Sequence, residues 1–220
     1  MKVITIAGPK GGTGKSTTCA SLAVRATIDT GRVALIDLDA PQGTLSEWWL
    51  LRGKPANPFL FDGEGTLDRL VDTLRADGWT YTFIDGPPHD LDLVEMSVFV
   101  GDLILIPIKL SVFDGSAIEV LVEMCRRRGK PYAFLVNEYD KRQMFQGANN
   151  IALAMLNGSG PILKTRISCD PRYRVGLIEG QVGAEIGRAP AKEIDAIWDE
   201  VKTLLANEPA QHKSEARRYG

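Results

Sequence analysis

The 220-residue chain has few of the features that mark membrane proteins and disulfide- or metal-stabilised proteins. No apolar run approaches the ~18 residues that a membrane-spanning helix needs, so a transmembrane segment is not expected. The 3 cysteines, Cys19, Cys125 and Cys169, form no Cys-x-x-Cys pair. Their odd number and spacing favour reduced thiols over a disulfide or zinc framework. Met1 leads at once into a strand-like run, so no signal peptide is apparent and a cytoplasmic protein is expected.

A large excess of charge of either sign is also missing, since the formal net charge is −2. Net charge therefore does not predict nucleic-acid binding, and any such surface has to be a local basic patch. The composition, 44% hydrophobic and 25% charged, is close to that of average soluble domains. The length suits a single core, since cores stop growing near ~250–300 residues. We expect one domain over residues 1–206, followed by a polar, poorly ordered tail over 207–220.

Short apolar, β-branched runs alternate with helix-length amphipathic segments along the chain. The runs are apolar throughout, which is typical of strands buried on both faces. The predicted strands cover residues 2–7, 33–37, 81–85, 103–108 and 132–136. The predicted helices cover residues 15–30, 66–76, 90–100, 114–128, 141–157, 171–179 and 188–206, and residues 53–65 are expected to form a Pro/Gly loop. This alternation predicts an α/β fold: a single-domain, mostly parallel twisted sheet with helices on both faces.

The most informative stretch is Gly8–Thr17, Gly-Pro-Lys-Gly-Gly-Thr-Gly-Lys-Ser-Thr, between the first predicted strand and the first predicted helix. Its glycines allow the backbone to turn N–H groups inward, and the helix directs its partly positive N-terminus to the same point. The stretch predicts a phosphate-binding loop in which the nucleotide contacts are Gly11, Gly12, Thr13, Gly14, Lys15, Ser16 and Thr17. Lys15 is expected to reach the β- and γ-phosphates, and the Ser16 hydroxyl to ligate Mg²⁺.

A second lysine, Lys10, distinguishes this loop from the usual phosphate loop, which carries a glycine where this chain has Pro9. Residues Lys10–Thr17 resemble the deviant Walker A motif of the ParA/MinD family of ATPases. In that family the additional lysine crosses a dimer interface and contacts the partner's nucleotide. The resemblance therefore implies a P-loop NTPase fold, a homodimer that forms with ATP, and catalytic roles for Lys10 and Lys15.

Two carboxylates follow predicted strands near the same edge of the sheet. Asp39, within Asp37–Gly43, resembles the second aspartate of the family's switch I motif, which supports hydrolysis, although Ala40 is inserted before Pro41. Asp85 precedes Gly-Pro-Pro and resembles the Walker B aspartate, which holds Mg²⁺ mainly through water. The resemblance implies a catalytic role for Asp39. The implied magnesium site consists of Ser16, Asp39 and Asp85.

Asn137 follows the strand predicted at 132–136, where related ATPases place an asparagine at the adenine edge. A side-chain amide can donate to and accept from a purine, but a turn-forming asparagine explains the residue equally well. Lys109 and Asp114 resemble another family segment and are secondary candidates. His89 follows the strand that ends at Asp85, and without a nucleophile beside it a bystander role is expected.

A basic cluster in the second half of the chain consists of Lys164, Arg166, Arg172 and Arg174. Asp170-Pro171 is typical of a helix start, and arginines in a first turn oppose the helix dipole unless an anion offsets them. The cluster resembles the C-terminal region that the family uses for sequence-independent DNA binding. An ordinary solvated surface is the alternative interpretation.

The resemblance is to a short ParA-type partition ATPase, without a DNA-binding domain before the first strand. It implies a slow Mg²⁺-dependent ATPase that dimerises on ATP, binds DNA non-specifically at the nucleoid and is reset by a ParB-like partner. A ParA-like ATPase that positions a protein cargo would share every one of these motifs. A MinD-like membrane switch would need a basic amphipathic terminal helix, whereas the polar face of residues 192–206 is acidic, so no membrane partner is expected.

Overall fold

A computed structural model of the chain describes residues 1–29, 31–39, 42–61, 66–88, 90–140 and 147–207. The strands are β1 (Lys2–Ile6), β2 (Val33–Asp37), β3 (Phe59–Phe61), β4 (Tyr81–Asp85), β5 (Leu103–Lys109) and β6 (Tyr132–Asn137). The helices are α1 (Lys15–Asp29), α2 (Thr44–Leu51), α3 (Leu67–Ala76), α4 (Leu91–Val100), α5 (Gly115–Arg127), α6 (Gly147–Ser159), α7 (Arg172–Ile178) and α8 (Arg188–Ala206). A 3-10 helix, Leu110–Val112, links β5 to the approach to α5.

The strands form one sheet in the order β3-β2-β4-β1-β5-β6. Every named pair of neighbouring strands is parallel. The register pairs Ile6 of β1 with Asp85 of β4, and Asp85 with Asp37 of β2. On the other side of β1, Lys109 of β5 pairs with Asn137 of β6. The carboxyl ends of the strands therefore meet at one edge, which confirms the predicted mostly parallel sheet.

Apolar side chains cover both faces of the sheet, as the continuous apolar runs predict. Ile4 and Ile6 of β1 belong to a core cluster that includes Trp198 of α8 and residues of α1 and α7. Val3 of β1 belongs to the opposite cluster, together with residues of α3. A third cluster joins β5 and β6 to α4, α5 and α6. Helices pack on both sides of the sheet, as expected for an α/β fold.

The expected loop at 53–65 is wrong in part, because Phe59–Phe61 forms the edge strand β3 beside β2. The Asn57 side-chain oxygen accepts a hydrogen bond of 2.9 Å from the Val33 N–H group. The rings of Phe61 and Trp79 then pack edge to face with centroids 5.0 Å apart. The Pro and Gly residues around this segment favour a loop in the sequence, and the segment forms a strand because it pairs with β2.

The other predicted strands and helices agree with the structure to within a few residues over the described ranges, and α6 is described from Gly147. The first residues of the predicted helix 141–157 lie outside the described residues, as do Ala40, Pro41, His89 and 208–220 of the predicted tail. Within the described ranges, no helix combines the length and the apolarity needed to cross a bilayer.

Candidate functional site

A cavity of about 560 Å³ opens at the carboxyl edge of the sheet. Its walls come from the phosphate loop, the segment after β2, the ends of β5 and β6, and the segment that enters α7. From β1 the chain runs to β2 on one side, whereas from β4 it passes β1 to reach β5 on the other side, so the strand order reverses beside β1. Ligands of open α/β sheets bind at such a reversal of strand order.

The phosphate loop presents its backbone to this cavity. Gly12 and Gly14 have φ values of 73° and 93°, in the left-handed region that favours glycine. A Cβ atom on Gly14 would lie 1.9 Å from the Asn137 side-chain nitrogen, whereas one on Gly11 or Gly12 would meet no atom within 4 Å. The open side of Gly11 and Gly12 faces the cavity, and α1 begins directly behind them with no acidic residue in its first turn. This arrangement suits an anion.

Lys15 is only 5% exposed, yet it lines the cavity. Its ammonium group donates a 3.1 Å hydrogen bond to the backbone carbonyl of Lys10, which closes the loop around it. Burial lowers the pKa of Lys15, while the charges of Asp85 and Asp39 act in the opposite direction. The amino group is thus a hydrogen-bond donor already placed inside the loop, held by a neutral oxygen that a phosphate can replace.

Asp85 is fully buried at the end of β4. Within the described part of the chain, no well-formed hydrogen bond reaches either carboxylate oxygen, although the Ser16 hydroxyl lies close enough to lower the pKa of Asp85. Burial, with a smaller contribution from the charge of Asp37, nevertheless raises the pKa of Asp85 to about 7. A buried carboxylate without partners is costly, so the site fits a hydrated cation beside Ser16 and Asp85.

Asp37 and Asp39 have different surroundings although they lie two residues apart. The Asp37 carboxylate accepts hydrogen bonds from the Asp39 N–H group (3.0 Å) and from the Ser46 N–H and hydroxyl groups (2.9 and 2.7 Å). It therefore anchors the first turn of α2. The half-buried Asp39 lines the cavity, and its backbone carbonyl accepts from the Gln42 and Gly43 N–H groups.

Asn137 is buried and braces the phosphate loop. Its side-chain nitrogen donates to the Thr13 carbonyl at 2.7 Å, and its side-chain oxygen accepts from the Glu138 N–H group at 2.8 Å. The same side chain occupies the space that a Cβ atom on Gly14 would need. Both ends of the amide are thus engaged, which joins the end of β6 to the loop.

Lys10, the additional lysine, forms an ion pair of 3.2 Å with Asp114 of the same chain and is 42% exposed. Asp114 also caps α5 by accepting from the Ala117 N–H group and the Ser116 hydroxyl. These hydrogen bonds, together with Lys10, lower the pKa of Asp114. Two residues that the family resemblance singled out are therefore in contact before any partner is bound.

Glu138 is a cavity residue that the sequence analysis missed. One of its carboxylate oxygens lies 2.7 Å from the Lys109 ammonium and 2.8 Å from the Arg174 guanidinium. All three residues line the same cavity as Lys15. A carboxylate directly after Asn137 was visible in the sequence, but its contacts depend on residues from β5 and α7, which are distant along the chain.

The structure separates the basic cluster into two groups. Arg174 donates a hydrogen bond to the Glu138 carboxylate, and the Arg172 side chain donates to Asp170 at 3.0 Å. Protein carboxylates are therefore the anions that offset the unfavourable interaction of these first-turn arginines with the helix dipole. Lys164 and Arg166 instead line a second cavity of about 670 Å³, where Arg166 stacks 4.3 Å above the Tyr139 ring. Ser168 and Cys169 lie between the two cavities and line both.

A glycine cradle at a helix start, a buried lysine and an unpartnered buried carboxylate, all within the described residues, together define a P-loop nucleotide-binding protein of the α/β class. The comparisons with known proteins agree. The chain belongs to the CobQ/CobB/MinD/ParA nucleotide binding domain family, whose model matches residues 4–175. This confirms the family resemblance predicted from the lysine-rich loop.

Known relatives extend the comparison. Maintenance of carboxysome distribution protein A of Gloeobacter kilaueensis is 33% identical over 150 residues, which are 65% of this chain and 66% of that protein. The match thus spans slightly less than two thirds of that relative.

Solved structures share the fold at lower identity. McdA of Cyanothece, in its apo form, has a TM-score of 0.69 and 18% identity, covering 93% of this chain and 99% of that one. MinD of Pyrococcus horikoshii, complexed with Mg-ADP, has a TM-score of 0.71 and 19% identity, covering 92% and 96%. A plasmid partition protein of Borrelia burgdorferi has a TM-score of 0.67 and 18% identity, covering 92% and 98%. The predicted P-loop NTPase fold of the ParA/MinD type is confirmed.

Proposed function

We propose that the chain is an ATP-dependent partition ATPase, a slow Mg²⁺-dependent hydrolase whose dimerisation is controlled by the nucleotide. The observation that carries this proposal is one cavity lined by the open glycine backbone and by Lys15, whose ammonium is influenced by the charge of the buried Asp85. The described residues make no well-formed hydrogen bond to that carboxylate. Such a site has N–H and ammonium donors for a polyphosphate and a carboxylate that can ligate its metal ion.

The proposed roles follow from the positions of the residues. The backbone of residues 11–17 and the Lys15 ammonium are proposed to bind the phosphates. Ser16 and Asp39, which line the cavity, and the buried Asp85 are proposed to hold the magnesium ion. When bound, Mg²⁺ neutralises charge on the phosphate oxygens. Asp39 is the residue proposed to orient the attacking water, because it lines the cavity while Asp37 is engaged with α2.

Asn137 is proposed to contact adenine, as the family resemblance implies. Its amide at present serves Thr13 and Glu138. The amide has a second N–H and a second oxygen lone pair, so an adenine contact would use these or replace one of the present hydrogen bonds.

Lys10 is proposed to cross to the nucleotide of a second copy of the chain. Lys10 now forms an exposed ion pair with Asp114, and exposed ion pairs contribute little stability. The phosphates of a partner subunit can compete for the same ammonium group. Assembly would then last while the terminal phosphate remains, and hydrolysis would release it.

Two lysine variants test the nucleotide and dimer parts of the proposal. Lys15→Ala should abolish ATP binding, whereas Lys10→Ala should retain much of the binding and lose ATP-dependent dimerisation. Analytical ultracentrifugation with and without ATP, beside a direct binding titration, measures both. ATP-dependent dimers of the Lys10→Ala variant at the wild-type level would contradict the crossing role.

The proposed partners are non-specific DNA at the nucleoid and a ParB-like protein that stimulates hydrolysis. We infer a DNA face around the second cavity, which Lys164 and Arg166 line. DNA binding should require both ATP and Mg²⁺. A filter or fluorescence assay on DNA of random sequence, run with and without each, tests this.

A second candidate is an ATPase of the same kind that positions a protein cargo. The carboxysome distribution relative, 33% identical over 150 residues, supports this alternative. Both candidates use the same ATP-controlled assembly. Deletion of the gene separates them: unequal inheritance of a plasmid or chromosome supports DNA partition, and a mislocalised protein assembly with normal DNA inheritance supports the cargo function.

A further inference from the structure

Glu138 places a negative charge in the wall of a cavity whose other features suit an anion. We propose that Glu138 is an internal counter-ion that competes with the nucleotide phosphates for Lys109 and Arg174, and so weakens nucleotide binding. This inference rests on the proposed nucleotide function of the cavity, and it concerns how tightly the nucleotide is held.

The contacts of Glu138 link two walls of the cavity. A single carboxylate oxygen accepts from Lys109, at the end of β5, and from Arg174, in α7. The Lys109 side chain is 15% exposed and lies within the wall, whereas the Arg174 side chain is 75% exposed at the rim. Both cations line the cavity beside Lys15, so a polyphosphate bound there meets two ammonium groups and a guanidinium.

The backbone holds the Glu138 carboxylate in place. Its φ value is 49°, a left-handed conformation that is uncommon for a residue other than glycine. The Glu138 N–H group donates to the Asn137 side chain, which in turn holds Thr13 of the phosphate loop. The next residue, Tyr139, donates its N–H group to the Ile167 carbonyl at 2.8 Å. The backbone that carries the carboxylate is thus tied to the loop on one side and to the segment after α6 on the other.

The carboxylate is charged at neutral pH. Burial raises the pKa of Glu138, but the hydrogen bonds from Lys109 and Arg174 outweigh burial and lower the pKa below its ordinary value. A fixed negative charge near a bound polyphosphate is repelled by it, and it also neutralises cations that would otherwise attract the phosphates. Removal of this charge should strengthen binding, and the gain should grow with the charge of the nucleotide.

The decisive variant is Glu138→Gln, because glutamine keeps the shape and an acceptor oxygen for Lys109 while removing the charge. We expect it to bind ATP about three- to tenfold more tightly than wild type at low salt, with a smaller gain for ADP and the smallest for AMP. The gain should shrink as the salt concentration rises. Calorimetric titration of the full chain with each nucleotide measures these affinities.

Two further variants serve as controls. Glu95→Gln removes the same charge from an exposed pair with Arg128 away from the cavity, so it should leave nucleotide affinity unchanged and exclude an effect of net charge. Lys109→Gln removes one of the proposed phosphate partners, so it should weaken ATP binding. The Lys109→Gln variant also tests the inference if Glu138→Gln fails to fold, which circular dichroism and thermal melting detect.

The outcomes separate this inference from the proposed function. If wild type binds no nucleotide and Lys15→Ala is indistinguishable from it, the proposed function fails. If wild type binds ATP but Glu138→Gln binds it equally or more weakly, Glu138 positions the site or takes no part, and the counter-ion role is overturned. A gain of the same size for ATP and AMP would also overturn it, as would wild-type ATP affinity in Lys109→Gln.

Discussion

Gly14 and Asn137 illustrate how closely single residues in the site depend on one another. The left-handed backbone of Gly14 leaves no room for a side chain, because the Asn137 amide occupies that space and bonds to Thr13. Gly11, three residues earlier, has open space instead. The glycines of the loop therefore serve different purposes: Gly14 permits packing against β6, and Gly11 leaves the cavity open.

Replacement of these two glycines should have unequal effects on stability. Gly14→Ala should lower the free energy of unfolding by ~2 kcal/mol or more, because it combines an unfavourable φ with a clash against Asn137. Gly11→Ala should stay within ~0.5 kcal/mol of wild type. Urea unfolding of both variants without nucleotide measures the difference. Equal decreases would show that the packing of Gly14 against Asn137 does not limit stability.

Asp85 should reduce the stability of the nucleotide-free protein, since its carboxylate is fully buried and the described residues make no well-formed hydrogen bond to it. Asp85→Asn should raise the free energy of unfolding by ~1–2 kcal/mol while removing the effect of Mg²⁺ on ATP affinity. Thermal melting without ligand and ATP titration in Mg²⁺ or EDTA measure the two effects. A less stable variant that keeps its Mg²⁺ dependence would argue against Asp85 as the metal residue.

At the scale of elements, α8 closes the core over α1 and β4. Trp198 of α8 packs edge to face on Tyr81, with ring centroids 5.0 Å apart, and donates its indole N–H group to Asp29 at the end of α1 (2.7 Å). Asp29 also accepts from Arg25 (2.9 Å) and Lys202 (3.1 Å). Hydrogen bonds from Arg25 first, then from Trp198 and Lys202, hold the pKa of Asp29 well below its usual range. One carboxylate thus joins the two helices.

The Asp29 contacts should make part of the stability depend on pH. Asp29→Asn should cost ~1–2 kcal/mol at pH 7, because Trp198 and the basic partners no longer have a charged acceptor. Because the folded-state pKa is lowered, this contribution is complete above the unfolded pKa near ~4 and declines as the pH falls further. The gap between variant and wild type should therefore narrow below pH ~4 in urea unfolding. The more exposed Asp195→Asn, which removes another Arg25 partner, should cost less. A gap that does not change with pH would contradict this role.

At the scale of the whole molecule, the parallel sheet brings the ends of its strands to one edge, and two cavities lie beside it. The wall between the cavities contains Ser168 and Cys169. Tyr139 lines the second cavity directly after Glu138, which lines the first. The nucleotide site and the proposed DNA face therefore share a backbone segment, through which bound ATP would act on the proposed DNA binding.

The proposed DNA face should be visible in the salt dependence of binding. Replacement of Lys164 and Arg166 together by Gln should weaken ATP-dependent DNA binding and reduce the slope of log affinity against log salt by about 0.9 for each DNA phosphate that is no longer neutralised. Arg172→Gln should change the slope less, because Arg172 is already paired with Asp170. Fluorescence anisotropy with DNA of random sequence at several salt concentrations measures this. An unchanged slope in the double variant would show that DNA binds at a different surface of the protein.

Much of the fold could be predicted locally. Continuous apolar runs identified β1, β2, β4, β5 and β6, because strands buried on both faces need apolar residues at every position. The phosphate loop was also predictable from the sequence, since its glycine spacing and Lys-Ser pair lie within a short run of consecutive residues that form the loop together. The edge strand β3 was missed because its residues are strand only through pairing with β2.

The sequence by itself determined the α/β class and the family, and it predicted the phosphate loop with Lys10 and Lys15, because these features depend on neighbours along the chain. Only the tertiary structure decided the partners of charged residues. Arg174 forms an ion pair with Glu138 and Lys10 with Asp114, and Asp37 accepts hydrogen bonds from α2 rather than lining the cavity. The physical reason is that ion pairs and burial depend on distance in space. The sequence gives the charged residues, and the fold determines which of them are in contact.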